Sequence, residues 1–180
     1  MNFYISDVHF GHKNVIEFDQ RPFQDVEEMD RIMIDKWNQK VKKDDHVYII
    51  GDFIYKSEKA AVWYLEQLNG YLHLILGNHD RNWLIQPGVR DYFEEIEKMQ
   101  YIKDERNLIQ MCHYPIIEWN QYHRGSYLIY GHIHGKRDDT YEFMKTRERA
   151  LNAAACINDY VPVTFHELVK NNQKFQRILS

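Results

Sequence analysis

The sequence predicts an α/β protein, and three observations carry that prediction. Three apolar runs, residues 2–6, 46–50 and 71–76, are short and rich in Ile, Val, Leu and Tyr, as buried strands are. Between them, apolar residues recur at steps of three and four, the spacing of helices with one buried face. Each run also ends in a polar cluster. Parallel strands joined by helical crossovers bring such ends to one edge of a sheet, where ligands of α/β proteins bind.

Taken in order, the first strand ends in Asp7-Val8-His9-Phe10-Gly11-His12. An irregular, partly helical stretch is broken at Arg21-Pro22. Asp25 then has the chemistry of an N-cap, and Val26, Met29, Ile32, Met33, Trp37 and Val41 outline a helix. The second strand ends in Gly51-Asp52. Ser57 is the expected cap of a further helix with Ala61, Val62, Leu65 and Leu68 inward, closed by Gly70. The third strand ends in Gly77-Asn78-His79-Asp80.

The second half is less regular. Residues 83–92 read as helix or loop around Pro87-Gly88. Residues 95–102 and 108–112 read as two antiparallel strands about a turn, and the second ends in His113. Residues 126–130 form a strand ending in Gly131-His132-Ile133-His134, followed by a charged loop, 136–149, and a strand, 151–157. Thr164 and Glu167 form a capping box, so a last helix should run from 165 towards 179.

Composition narrows the function classes. A chain of 180 residues fits one domain, residues 1–180. Hydrophobic content of 44% and charged content of 28% are those of ordinary globular proteins. A net charge of −4 argues against a broad surface for long nucleic acid or anionic membrane. Cys112 and Cys156 each lie in apolar runs and are expected reduced. No run approaches ~20 apolar residues and no basic-then-apolar leader is evident, so a cytoplasmic protein is expected. Ten histidines stand out and direct attention to metals or acid–base chemistry.

The chemistry collects at strand ends: Asp7 and His9, Asp52, Asn78 and His79, His113, and His132 and His134. Carboxylate, imidazole and one amide oxygen suit borderline divalent ions such as Mn, Fe, Co, Ni or Zn. Each piece has a plainer reading. Asp-x-His recurs by chance, Gly-Asp is a common turn, Asp80 could be a helix cap, and a single histidine is more often a packing residue. Gly-His-x-His is harder to dismiss, since two imidazoles on one strand end have little structural use without a metal. Five such ends in one chain point to a site with enough ligands for two ions.

The set resembles the calcineurin-like metallophosphoesterase superfamily, whose blocks are Asp-x-His, Gly-Asp, Gly-Asn-His-Asp/Glu, His and Gly-His-x-His. All five stand here without substitution, and the resemblance spans residues 2 to about 162. Phe10-Gly11-His12 and Arg21-Pro22-Phe23 are similar to a small, uncapped bacterial and phage branch. The resemblance implies a four-layer sandwich, two mixed β-sheets flanked by helices. It implies one ion held by Asp7, His9, Asp52 and His134, and a second held by Asp52, Asn78, His113 and His132. It implies phosphate-ester hydrolysis by a hydroxide shared between the ions, with His79 assisting the leaving group and Asp80 orienting His79.

Mn is the expected ion, and a small phosphate ester, preferably a diester, the expected substrate. His12, Arg21 and Arg81 are candidate substrate contacts, and Trp83, Trp119 and Tyr122 candidate stacking faces. Three readings compete. A non-catalytic scaffold, like the retromer subunit of the superfamily, departs from the pattern at the histidine that is retained here as His79. A phosphomonoesterase would place extra cations around the third charged phosphate oxygen. A nuclease would want a basic surface, which the acidic balance does not offer.

Overall fold

The computed structural model describes residues 1–177. Its strands form two four-stranded sheets. The first contains β1 (Asn2–Ile5), β2 (His46–Ile50), β3 (Tyr71–Ile75) and β4 (Phe93–Glu97), each parallel to the next. The second contains β5 (Met99–Asp104), β6 (Asn107–Cys112), β7 (Tyr127–Tyr130) and β8 (Ala150–Asn152). Only its β5–β6 ladder is antiparallel. Two mixed sheets were expected. Among the described residues the first has parallel ladders alone, and the isolated Tyr4–Val163 bridge supplies its antiparallel contact. The helices are α1 (Lys13–Phe18), α2 (Val26–Lys40), α3 (Ala61–Leu65), α4 (Arg81–Leu84), α5 (Asp139–Lys145) and α6 (Phe165–Arg177).

Side-chain alternation builds the layers, because successive residues of a strand point to opposite faces. Phe3, Ile5, Val47, Ile49, Leu72 and Leu74 pack against the helix layer of α2, α3 and α4. Tyr4, Tyr48, Ile50 and Ile75 point the other way and meet Ile109, Met111, Ile129 and Leu151 of the second sheet. The outer face of that sheet, with Leu128, Tyr130 and Ala150, is covered by Trp119 and by Tyr141 and Met144 of α5. A fully buried aliphatic side chain contributes about 1.5–3 kcal/mol. A one-residue slip of any strand would exchange its two faces, so burial fixes the register.

Four local expectations are corrected. Residues 95–102 are not one strand: the chain bends at Lys98 and passes from β4 in the first sheet to β5 in the second. Phe93 and Ile96 join the helix-side core, whereas Ile102 joins the layer between the sheets. Ser57 does not cap α3; its Oγ accepts from the Lys59 N–H, 2.9 Å, and the helix starts after Ala60. The charged stretch 136–149 contains α5, capped by Asp138, which accepts from the Tyr141 N–H. The strand expected over 151–157 stops at Asn152, because the Ala155 N–H is drawn onto Ser6 O at 2.8 Å and a 3₁₀ turn, Ala155–Ile157, follows.

Other details agree with the sequence. Asp25 caps α2 by accepting from the Glu28 N–H, 2.8 Å. Thr164 and Glu167 bond reciprocally at the start of α6; its expected end near 179 lies outside the described residues. No described helix is long and apolar enough to cross a membrane.

One buried polar link ties the last helix to the site. Asn172 Oδ1 accepts from the Asn152 N–H, and Asn172 Nδ2 donates to Asn152 O and Leu168 O. Asn152 Nδ2 in turn donates to His134 O, 2.7 Å. Asn172→Leu should therefore leave the buried backbone groups of Asn152 unpaired and cost about 1–3 kcal/mol. A chemical-denaturation midpoint equal to that of the natural protein would refute this link.

Candidate active site

The C-terminal edges of both sheets meet, and hydrogen bonds stitch them together. His113, at the end of β6, donates from Nδ1 to Ile50 O of β2, 2.9 Å. The His132 N–H, after β7, donates to the Asp7 carboxylate at 3.0 and 3.1 Å. Ser6 of the first strand bridges in parallel to Ala154. The expected ligands thus come from five separate loops yet occupy one small volume.

These loops turn sharply. Asp7, His9, Asp52, His132 and His134 have φ of 53°, 56°, 55°, 72° and 52°. Non-glycine residues rarely adopt the left-handed region, and such outliers concentrate at functional sites. Close approach also dictates glycine. A Cβ on Gly77 would collide with the Asp52 carboxylate, and one on Gly131 would lie 2.6 Å from Asp7 Oδ2.

Two groups of donors result, Asp7–His9–His134 and Asp7–Asp52–His113, each compact enough to hold a metal ion. His9 Nε2 and His134 Nε2 are 3.2 Å apart. Two ligands of a tetrahedral ion at about 2.1 Å each stand roughly 3.4 Å apart, so the spacing fits a shared ion. The groups share Asp7. Asp52 also fronts both, with Oδ2 3.8 Å from His9 Nε2 and 3.5 Å from His113 Nε2. Asn78 Oδ1 joins the second group, 3.1 Å from His113 Nε2. The His132 ring is exposed at the rim, 5.2 Å from the His113 ring and 4.6 Å from Tyr114.

The imidazoles are prepared for such a role. His113 Nδ1 is fixed on Ile50 O and His134 Nδ1 on Asp19 Oδ2 at 2.7 Å, leaving both Nε2 atoms to the cluster. An outer partner that fixes the tautomer in this way is usual for metal-binding histidines. Burial, with the His134 charge adding to it, pushes His9 down to about 2, so it is neutral at pH 7. Burial also disfavours the charged forms of His113 and Asp52. Their mutual pairing outweighs it, holding His113 at about 9 and Asp52 at about 2. His134 is raised: burial opposes the charge, but Asp19 and Asp7 prevail.

The remaining expected site residues are distributed less simply. His79 is half-buried beside the cluster, its Nε2 3.9 Å from Asp52 Oδ2. Asp80 does not orient it, contrary to expectation. Both Asp80 oxygens are taken by the N–H groups of Asp52, Phe53 and Gly77 and by Trp83 Nε1, at 2.7–2.9 Å. It makes no helix-cap bond either; it locks the Asp52 loop to the Gly77 loop. What holds the His79 ring is Tyr55, with centroids 4.0 Å apart. His12 is buried with its ring edge-on to Tyr55 at 4.8 Å, and its Nδ1 has no hydrogen-bond partner.

Arg21 is not a substrate contact. Its side chain is fully buried and donates to Asp7 O, Val8 O and Asp19, bracing the first ligand loop. Arg81 is exposed at the start of α4. Trp83 and Trp119 are core residues, so neither offers a stacking face. Sequence reading missed Asp19 and Tyr55. Asp19 lies in an irregular stretch with no motif. Tyr55 carried a weak signal, three residues past Asp52.

Comparison with known proteins finds similar chains. The family model described as calcineurin-like phosphoesterase matches residues 3–136. An uncharacterized protein of Methanocaldococcus jannaschii is 34% identical over 172 residues, which cover 94% of this chain and 90% of that one. The gene 66 protein of Mycobacterium phage L5 is 29% identical over 161 residues, covering 73% and 76% of the two chains. A crystal structure of a protein of unknown function from Aquifex aeolicus superposes with a TM-score of 0.73 at 26% identity, covering 94% of this chain and 98% of that chain.

Two outcomes follow from the electrostatics. Metal must displace the proton of His113, whereas His9 is already neutral. Metal binding should therefore release protons, and affinity should climb with pH until about 9, where His113 loses its proton unaided. A pH-independent affinity between about 6 and 9 would contradict the paired state of His113. Asp52→Asn should lower metal content from about two ions per chain and abolish turnover, since a neutral amide bridges poorly. Elemental analysis finding two tightly held ions in that variant would overturn the role of Asp52.

Proposed function

Because the chain belongs to the calcineurin-like phosphoesterase family, we propose that it is a metal-dependent phosphodiesterase of small substrates. The observation that carries the diester reading is the shape around the ligands. A cavity of about 250 Å³ opens beside His79, lined also by Tyr55, Asn82 and Gln86. Another of about 370 Å³ opens beside His132, lined also by Tyr114 and Thr140. A diester has a substituent for each side. A monoesterase would want cations gathered on its third charged oxygen, and Arg21, one of the candidate cations, faces inward. The net charge of −4 favours small substrates over long nucleic acid.

In this reading Asp7, His9, Asp52 and His134 hold one divalent ion, and Asp52, Asn78, His113 and His132 a second. Oxygen and imidazole donors without thiolate suit Mn, which we expect to be best, and also Fe, Co, Ni or Zn. Ions bound there would neutralise phosphate charge and lower the pKa of coordinated water. His79 lies at the mouth of the cluster, where a leaving oxygen would emerge. As that water, having given up a proton to solvent, bonds through its oxygen to phosphorus, the bond to the leaving group breaks with its electron pair on the leaving oxygen. His79 donates the proton that the alcohol needs. Tyr55 keeps the His79 ring in place, and Asp80 keeps Asp52 in place.

Two experiments test the reading. At saturating Mn²⁺, kcat/KM for a bis-aryl phosphate should exceed that for the mono-aryl phosphate; a clear excess for the monoester would sink the diester assignment. His79→Gln should keep its metal and lose roughly 10²–10⁴ in rate on a diester with a poor leaving group. The loss should shrink for nitrophenolate, which hardly needs a proton. A metal-free His79→Gln protein would make His79 a ligand and not an acid.

A further inference from the structure

The two flanks of the cleft differ in charge. The cavity beside His132 is lined by one lysine, Lys136, and one carboxylate, Asp138. The cavity beside His79 is lined by Lys56 and Lys59 and by no carboxylate. Lys59 is already engaged, 3.8 Å from Asp30 and 3.9 Å from the Trp63 ring centroid. Lys56 is exposed, forms no ion pair among the described residues, and projects its ammonium over the Tyr55 ring at 5.2 Å. Its backbone is left-handed, φ 50°, which turns the chain sharply just after the residue that holds His79. Asn82 lies on the same wall, exposed, with no hydrogen bond among the described residues. The side on which His79 would meet the leaving oxygen thus carries one uncommitted cation and one uncommitted amide.

We propose that this cavity is a leaving-group subsite for an alcohol that bears its own anionic group, such as a second phosphate, received by Lys56 and Asn82. The inference rests on the phosphodiesterase reading and adds what the departing half of the diester carries. The cavity beside His132, with one lysine and one carboxylate in its lining, takes the half that remains on phosphorus.

The test uses metal-loaded full-length protein and three methyl aryl phosphates. Their leaving phenols carry a phosphonomethyl, a carboxymethyl or a neutral methylsulfonylmethyl group, and the methylene insulates the reacting oxygen in each. An exposed ion pair contributes up to about 1 kcal/mol, or roughly fivefold. The anionic substrates should therefore exceed the neutral one by about that factor in kcat/KM. The gain should vanish in Lys56→Met, survive in Lys56→Arg and survive in Lys136→Met. Binding of 4-(phosphonomethyl)phenol, followed by calorimetry, should weaken about as much in Lys56→Met.

A gain for both anions supports a charge-reading subsite, and a gain for the phosphonate alone supports a phosphate-reading one. No gain in the natural protein, or a gain that persists in Lys56→Met, or one lost equally in Lys136→Met, overturns the proposal. If the neutral diester is turned over but the anionic ones gain nothing, this inference alone falls. If no diester is turned over, the phosphodiesterase reading falls and takes it along.

Discussion

The structure depends on bringing ligands from five loops into a volume a few ångströms across. A strand end that simply continues would carry its polar residues past one another. Here the backbone folds back at Asp7, His9, Asp52, His132 and His134, all left-handed. Such residues are costly, of order 1 kcal/mol or more each, and persist only where neighbours over-determine them. Arg21 supplies that for the first loop, with its buried guanidinium on Asp7 O and Val8 O. Asp80 supplies it for the second and third, with both oxygens accepting from backbone on either side. Asn152, held by Asn172, supplies it for the last through His134 O. Residues that are not themselves candidate ligands therefore decide whether the ligands meet.

The same crowding settles the electrostatics. Two buried carboxylates, Asp7 and Asp52, face the imidazoles of His9, His113 and His134. Partly protonated imidazoles compensate these carboxylates: His113 is held at about 9 beside Asp52, and His134 is raised beside Asp19 and Asp7. His9, pressed by burial and by His134, stays neutral. Divalent ions bound there would replace those protons with more charge at the same positions. The site is thus built for cations, and protons occupy it only as weaker competitors.

The five ligand blocks and the first three strands were legible because their signals are local. An apolar run followed by glycine and a ligand is a strand end in any context, and parallel pairing puts such ends together. What was illegible depended on tertiary placement. Lys98 gives no sign that the chain changes sheets there. Nearness to the blocks points Arg21 to substrate, and the resemblance points Asp80 to His79. Burial decided otherwise, since a guanidinium or carboxylate surrounded by backbone partners has nothing left to offer a ligand. Asp19 was invisible because the histidine it serves lies far along the chain, 2.7 Å away only after folding. Trp83 and Trp119 illustrate the same limit: an aromatic near a motif is more often core than contact.

The division between buried and exposed residues also divides labour within the site. Asp7, Asp52, His9 and His113 are buried and fixed, so the metal chemistry is set by the scaffold and tolerates little change. Lys56, Asn82 and Tyr114 are exposed around the rim, where substitution costs little stability. Selectivity among phosphate esters can therefore drift at the rim while the centre is kept. A fold that anchors its ligands on strand ends and leaves both flanks of the cleft to loops separates hydrolysis from choice of substrate. An acidic chain of this kind needs no general attraction for anions. In the proposed reading, one uncommitted cation, Lys56, on the wall beside His79 would be enough to orient a small anionic ester.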